Sequence, residues 1–322
     1  MIPEFPNFIA LGPQHIQEIN NMVSGFPEYS DYNPASLLAW DVNDDTQISN
    51  LHGNLVVRFR DYMDGSQFMS LLGTNKVKES MRLVSNYAQR NDIEATLKLV
   101  PQETMDELSV YDNCDITSDR DNYDYVIGLE EVSRLEGKKF RKVRREINTF
   151  AKRHGDDSVI KVLDLGNASH VDDMLSVFHA REALKPNNDD ADELAAMQRL
   201  IRLRGHFSLV AWGVYINDKL EAFVLMEQTS DTHLVEHFCK GNTDYYGINQ
   251  HILVSFCREY RDRGFTEMNI EQDLGIHGLR HFKEELNPIA YRKKYSIELL
   301  PVPQHSAPRP VFQQLAMKLQ LS

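Results

Sequence analysis

The sequence predicts a mixed α/β (α+β) fold built as two tandem units. Three observations point there. From residue 159 onward, hydrophobic periodicity and turn signals read β-α-α-β-β-β-α-β-α-β. The first half follows that order with less regularity and without a close sequence repeat. The chain has 322 residues, 42% of them apolar, which suits two cores. The expected division is a first unit over 1–155, including a basic helix over 134–153, and a second over 156–322.

In the first half, Gln14 to Val23 reads as a helix, with Ile16, Ile19 and Val23 on one face. Phe26 to Asn33 is a turn-rich aromatic loop, and Ser36 to Trp40 a short helix or strand edge. Gln47 to Arg60 is a hairpin with its turn near Gly53-Asn54. Gln67 to Leu72 is a strand ended by Gly73. Val77 to Arg90 is an amphipathic helix carrying Val77, Met81, Val84 and Ala88 on one side. Glu94 to Val100 is a strand and Gln102 to Leu108 a short helix. Tyr123 to Leu129 is a strand leading into Ser133 and Glu136, whose spacing predicts a capping box that opens the basic helix. Phe140, Val143, Ile147 and Phe150 form that helix's apolar stripe.

In the second half, Val159 to Leu165 is a strand, followed by helices over Val171 to Lys185 and Asp190 to Gly205. Phe207 to Ile216, Lys219 to Glu227 and Thr232 to Cys239 are three consecutive strands, the first two joined at Asn217-Asp218. A helix lies within Tyr245 to Gly264. A strand from Phe265, a helix from Ile276 and a last strand over Ala290 to Leu299 complete the unit. Pro301 to Pro310 is a connection, and Val311 to Leu319 a short terminal helix.

Composition narrows the function. Met1 to Pro13 carries Glu4 and three prolines, unlike a secretory leader. The longest apolar run, Phe207 to Ile216, is too short to span a bilayer. A soluble, cytoplasmic protein is expected. Cys114, Cys239 and Cys257 form no C-x-x-C pair, and the histidines show no H-E-x-x-H spacing, so neither a metal nor a disulfide framework is expected. A net charge of −13 argues against a general nucleic-acid binder. Yet Lys138 to Arg153 holds eight Lys/Arg against one acid, Glu146, and such a helix suits local capture of phosphate. It is equally a solvated face on a packed helix.

The chemistry concentrates between Phe265 and Pro288. Glu271, Gln272 and Asp273 follow a strand's C-terminal end, where open α/β sheets bind ligands. Lys283 falls on the apolar face of the next helix, with Ile276, Leu279 and Leu286. A lysine there must snorkel, pair with an anion or lose its proton.

The element order of the second half is that of the GCN5-related N-acetyltransferase (GNAT) fold, so the expectation becomes two tandem GNAT-like domains. That fold usually cradles a pyrophosphate in the loop after its fourth strand, at a helix N-terminus. Here the loop is Lys240 to Gly247. It lacks the usual Gln/Arg-x-x-Gly-x-Gly/Ala signature, and Asp244 would repel a pyrophosphate.

Three segments resemble the phosphatidylglycerol lysyltransferase C-terminal family. They are Tyr123 to Phe150, with its Gly137-Lys138-Lys139; Glu236 to Gln250; and Asn269 to Arg280, with Glu271-Gln272-Asp273-Leu274-Gly275 and, beyond it, Lys283, Pro288 and Lys294-Tyr295. The resemblance implies transfer of an aminoacyl group from aminoacyl-tRNA to a hydroxyl or amine acceptor, with no cofactor. Its membrane-bound members use phosphatidylglycerol; this sequence shows no membrane portion, which leaves a lipid headgroup or a small molecule as acceptor and peripheral membrane contact open.

Acyl transfer needs a base, an oxyanion stabiliser and a way to neutralise the leaving group. Glu271 or Asp273 is the expected base or acceptor-orienting carboxylate, and Lys283 the electrostatic stabiliser. Tyr246 is the proton donor. Lys240, Asn242 and Asn269 contact substrate, and Arg141, Lys142, Arg144 and Arg145 hold tRNA phosphates. No Ser-His-Asp or Cys-His set stands out, so direct attack is expected. The competing readings are an acyl-CoA-dependent N-acyltransferase and a non-catalytic RNA- or membrane-binding module, in which Glu271 and Asp273 merely cap the next helix.

Overall fold

A computed structural model describes residues 1–61, 65–108, 114–182 and 191–300. The expected connection over Pro301 to Pro310 and the helix over Val311 to Leu319 lie outside them.

The first half begins with β1 (Ile9–Ala10), α1 (Ile16–Val23) and α2 (Pro34–Trp40). Asn33 starts α2: its Oδ1 accepts from the Ala35 and Ser36 N–H groups at 2.8 and 3.0 Å, and Pro34 stands where no donor is needed. Next come β2 (Gln47–Leu51), β3 (Asn54–Arg60), β4 (Gln67–Leu72), α3 (Val77–Arg90), β5 (Leu97–Pro101), α4 (Gln102–Asp106) and β6 (Cys114–Ser118). The strand β6 was not anticipated: its residues are mostly exposed, so no inward apolar alternation marks it.

Then follow β7 (Asp124–Gly128), α5 (Leu129–Arg134), α6 (Arg141–His154), β8 (Ser158–Leu163), α7 (Ala168–Glu182) and α8 (Ala191–Arg202). The chain continues with β9 (Leu209–Ile216), β10 (Lys219–Gln228), β11 (His233–Gly241), α9 (Ile248–Asp262), β12 (Glu267–Asn269), α10 (His277–Glu285), β13 (Ala290–Arg292) and β14 (Lys294–Leu299). Asn217 and Asp218 both adopt positive φ, the two-residue hairpin turn their side chains favour.

Two seven-stranded sheets result, in the orders β1-β2-β3-β4-β5-β14-β6 and β8-β9-β10-β11-β12-β7-β13. Both run antiparallel except at one place. β4 pairs parallel with β5, and β11 pairs parallel with β12. The sheets are thus topological copies, and each takes its sixth strand from the other half of the chain.

This exchange corrects the expected division at residue 155. The run Ala290 to Leu299, expected as one strand, breaks at Lys293 and serves both sheets. The basic helix, expected in the first unit, packs on the second sheet: Phe140, Val143, Ile147 and Phe150 share a core with α9, β10 and β12. Its predicted capping box is also corrected. Ser133 lies inside α5 and its hydroxyl donates back to the Leu129 carbonyl, while Leu135 turns left-handed to end that helix.

The opposite face of the second sheet is covered by α7, α8 and α2. Trp40 of α2 stacks on Phe238 of β11 at 6.3 Å. Leu37 and Leu38 turn instead to the first sheet's core. Helix α2 is therefore a shared layer between the units, which sets its preceding loop against the end of β11.

Candidate active site

Parallel pairing of β11 with β12 ends at Val235↔Asn269. Beyond it the strands part. On β11, Leu225 of β10 faces Phe238 while Met226 faces Glu236, so His237 is the extra residue of a β-bulge. On the β12 side, Glu271 adopts a left-handed φ of 56° and turns the chain away. The cleft between the strands thus opens on Glu236, His237 and Glu271.

His237 stands between two carboxylates, with Nε2 at 3.1 Å from Glu227 Oε2 and Nδ1 at 3.3 Å from Glu271 Oε1. Burial works to lower its pKa, but hydrogen bonds to Glu227 and Glu271 outweigh it and bring it to about 9. It is an imidazolium at neutral pH. Helix α2 and the loop before it close this side. Asn33 Nδ2 donates to Glu227 at 3.0 Å, Ser36 Oγ lies 3.4 Å from Glu271, and Thr229 donates to Glu28 at 2.9 Å. Burial raises the pKa of Glu28.

Lys283 is only 5% exposed. The snorkelling reading is therefore excluded. Its Nζ donates to the Ile270 and Gln272 carbonyls at 2.5 and 2.6 Å, clasping the left-handed turn at Glu271 from both sides. Burial lowers its pKa against the pull of Glu236, Glu271, Asp124 and Asp273. The stripe that placed it is partly solvent-facing, since Ile276 is 51% exposed.

The two predicted carboxylates have different surroundings. Asp273 is fully buried and saturated: Arg280 donates to both its oxygens, at 2.9 and 2.6 Å, Tyr125 at 2.5 Å, Arg120 at 3.2 Å and the Gly275 N–H at 2.9 Å. Burial works to raise its pKa, but Arg280 and Tyr125 hold it below the usual carboxylate range. Such a group fastens a loop and is a poor base. Glu271 faces only His237 and Ser36 among the described side chains. Neither acid caps α10, which starts at Ile276 without a side-chain cap.

Asn269 sets the position of Glu271. Its Oδ1 accepts the Glu271 N–H at 2.8 Å, and its Nδ2 donates to Asp124 and to the Glu28 carbonyl. Asp124 also takes the Ser30 N–H and hydroxyl, and Lys294 Nζ at 2.6 Å. Lys294 meets Asp31 as well. This buried network joins the loop before α2 to the turn after β12.

The other predicted residues are spread more widely. Lys240 pairs with Glu193 at 2.6 Å and lies over the Phe178 ring, while Asn242 is bound to Glu221 at 2.9 Å. Tyr246 donates to Glu146 of α6 at 3.1 Å. Lys142 is engaged by Glu285 and His281, and Arg144 by the Leu135 and Gly137 carbonyls. Arg141 and Arg145 are exposed. With Asn148 and Lys152 they follow a 4-3-4 spacing along α6, opposite its buried stripe, and they line a shallow groove of about 680 Å³ with Arg144, Thr149 and Arg153.

Glu236, His237 and Glu227 were not selected from the sequence. The available signal was an acid and a histidine inside otherwise apolar strands, since Leu234, Val235 and Phe238 flank them.

Comparison with known proteins agrees with the topology. The model of the family described as "Phosphatidylglycerol lysyltransferase, C-terminal" matches residues 25–298, and the chain belongs to that family. A conserved protein of unknown function from Bacteroides thetaiotaomicron VPI-5482 superposes with a TM-score of 0.79 at 21% identity, over 93% of this chain and 100% of that one. The C-terminal domain of a putative lysylphosphatidylglycerol synthetase from Agrobacterium fabrum gives a TM-score of 0.59 at 12% identity, over 96% of each chain. A tandem GNAT protein from the clavulanic acid biosynthesis pathway gives 0.50 at 8% identity, over 92% of this chain and 99% of that one. The fold is the tandem GNAT fold. No curated protein matches the chain. None of the helices over the described residues is long and apolar enough to cross a membrane.

Proposed function

We propose that this member of the phosphatidylglycerol lysyltransferase C-terminal family moves an aminoacyl group from aminoacyl-tRNA to a hydroxyl or amine acceptor. Family membership supports an aminoacyltransferase; donor and acceptor are our reading. The observation that carries it is the charged cleft where β11 and β12 part, in the same unit as the exposed cationic face of α6.

The acceptor attacks the aminoacyl ester directly. Its O–H or N–H proton passes to Glu271, the new acyl bond forms, and the ester C–O bond breaks. The tRNA 3′ oxygen leaves and takes up the proton that Glu271 received. The His237 imidazolium and the Lys283 ammonium supply positive charge for the tetrahedral oxyanion, in a buried setting where it counts for more than in water. Lys283 keeps a third N–H beyond the two held by carbonyls. Asp273 and Asn269 act as positioning residues. Arg141, Arg145 and Lys152 contact RNA phosphates, which position without reading sequence.

One observation counts against the acyl-CoA reading. The N-terminus of α9 is pressed on α6: a Cβ at Gly247 would lie 2.4 Å from the Glu146 carbonyl oxygen, and Tyr246 brings the Glu146 carboxylate to the same end. A pyrophosphate there would meet both oxygens.

The test offers radiolabelled aminoacyl-tRNAs, and separately acetyl-CoA, together with a lipid and small-molecule extract. RNase-sensitive label transfer that disappears in Glu271→Gln is the expected result. Transfer from acetyl-CoA alone overturns the reading. So does tight tRNA or lipid binding without turnover, which would leave a binding module.

A further inference from the structure

The chemistry above uses Glu271, His237 and Lys283, and leaves Glu236 without a task. Glu236 is the first β11 residue past the last parallel pair, so it stands at the root of the cleft. It is 7% exposed, and its Oε2 is buried with no hydrogen-bond partner among the described residues. The hydrogen bonds that the neighbouring cations make go to other groups. Lys283 donates to two carbonyls, His237 to Glu227 and Glu271, and Lys240 to Glu193. A buried acceptor left unmet costs its full desolvation, so such groups in native proteins call for a reason.

The first sheet shows what a completed version looks like. There β4 and β5 pair at Met69↔Leu97; Ser70 takes the place of Glu236, and Leu99, with φ 57°, that of Glu271. The Tyr32 hydroxyl fills that cleft, meeting Ser70 Oγ and the Leu99 carbonyl. In the second sheet a carboxylate replaces the serine, and no described side chain donates to its Oε2.

We propose that Glu236 anchors a primary ammonium group carried by the transferred acyl group, so that the cleft selects donors whose α-amine is free. This rests on the aminoacyl reading and deepens it. Charge favours a cation over a neutral hydroxyl. Glu28, Glu227, Glu236 and Glu271 surround the cleft against His237 and Lys283, a surplus of negative charge that an ammonium offsets. Burial raises the Glu236 pKa to about 7, against the opposing pull of Lys283, His237 and Lys240. Glu271 remains the acceptor of the attacking proton, and the two carboxylates divide the work.

The test is calorimetric binding of amino-acid amides of 3′-amino-3′-deoxyadenosine, which mimic the end of aminoacyl-tRNA without reacting. Each of a panel of amino acids is offered in three forms: free amine, N-acetylated, and with hydroxyl in place of the amine. In the wild type, the free amine binds roughly 10- to 100-fold more tightly than either other form, the span of one charged hydrogen bond. In Glu236→Gln the three converge. Equal binding of all three forms by the wild type overturns the anchor while leaving the aminoacyl reading standing. Failure of every amide and of intact aminoacyl-tRNA to bind overturns both. The wild-type comparison decides even if the variant does not fold.

Discussion

The two clefts share a blueprint and differ in what fills them. Both lie where a parallel strand pair parts, and both turn on a left-handed residue two positions past the last pair, Leu99 in one and Glu271 in the other. The first is closed with neutral groups, Tyr32 on Ser70, both essentially buried. The second holds Glu236, His237, Glu271 and Lys283. Charge left in a buried place is costly unless function retains it. The first unit therefore reads as support, and its loop before α2 and α2 itself supply Asn33 and Ser36 to the second unit's site.

The largest expected effect separates the two clefts by stability and activity together. Lys283→Met removes the clasp on the Glu271 turn and leaves the Glu236 and Glu271 charges without it. A loss of about 3–5 kcal/mol in urea unfolding is expected, with transfer abolished. Tyr32→Phe should cost about 1 kcal/mol and keep transfer. Equal activity loss in both variants would break the contrast.

Glu271→Gln comes next. Its transfer rate should fall by about 100-fold or more, the usual worth of a general base, with thermal unfolding near wild type. Asp273→Asn should instead lower stability first, because it weakens the anchor for Arg280, Tyr125 and Arg120. An unchanged melting temperature in Asp273→Asn would refute its fastening role.

The charged cleft also predicts a pH dependence through Glu236 and His237. Glu236 has its folded pKa raised from 4.5 to about 7, so the folded state holds the proton more tightly, and stability from this group falls as pH rises between those values. His237 is raised from 6.5 to about 9; its contribution is full below 6.5 and lost as pH climbs through 9. Chemical unfolding should therefore weaken from pH 5 to 9. Glu236→Gln should flatten the lower part of that slope and gain about 1–3 kcal/mol at pH 8. A parallel slope in the variant would contradict the assignment.

The smallest effect per residue belongs to α6. Replacing Arg141, Arg145 and Lys152 with alanine should weaken tRNA binding uniformly across tRNA species. The slope of log K against log salt should fall by about 2–3, roughly one phosphate per side chain. An unchanged slope would return α6 to an ordinary solvated face.

Much of the fold was legible because its signals are local. The stripe of Phe140, Val143, Ile147 and Phe150, the Asn217-Asp218 turn and the alternation along β9 to β11 depend on neighbours a few residues apart. The site was only half legible. Glu271, Asp273 and Lys283 were found together, but Lys240, Asn242 and Lys142 turned out to have structural partners. Ser133 matched a capping pattern and yet lies within the preceding helix, because Leu135 and Gly137 take positive φ and break the chain there.

By itself the sequence determined the kinds of element, their order, and the clustering of carboxylates and lysine after β12. Periodicity and turn chemistry act along the chain, so they can be read there. Tertiary structure decided which sheet each strand joined, as Ala290 to Leu299 shows by serving both. It also decided what each charge does. Glu271 and Asp273 are two residues apart in an identical-looking motif, yet one faces the cleft and the other is locked by Arg280 and Tyr125. Their partners Ser36 and Tyr125 lie more than 100 residues away from that motif, and pairing at that range leaves no mark in local pattern.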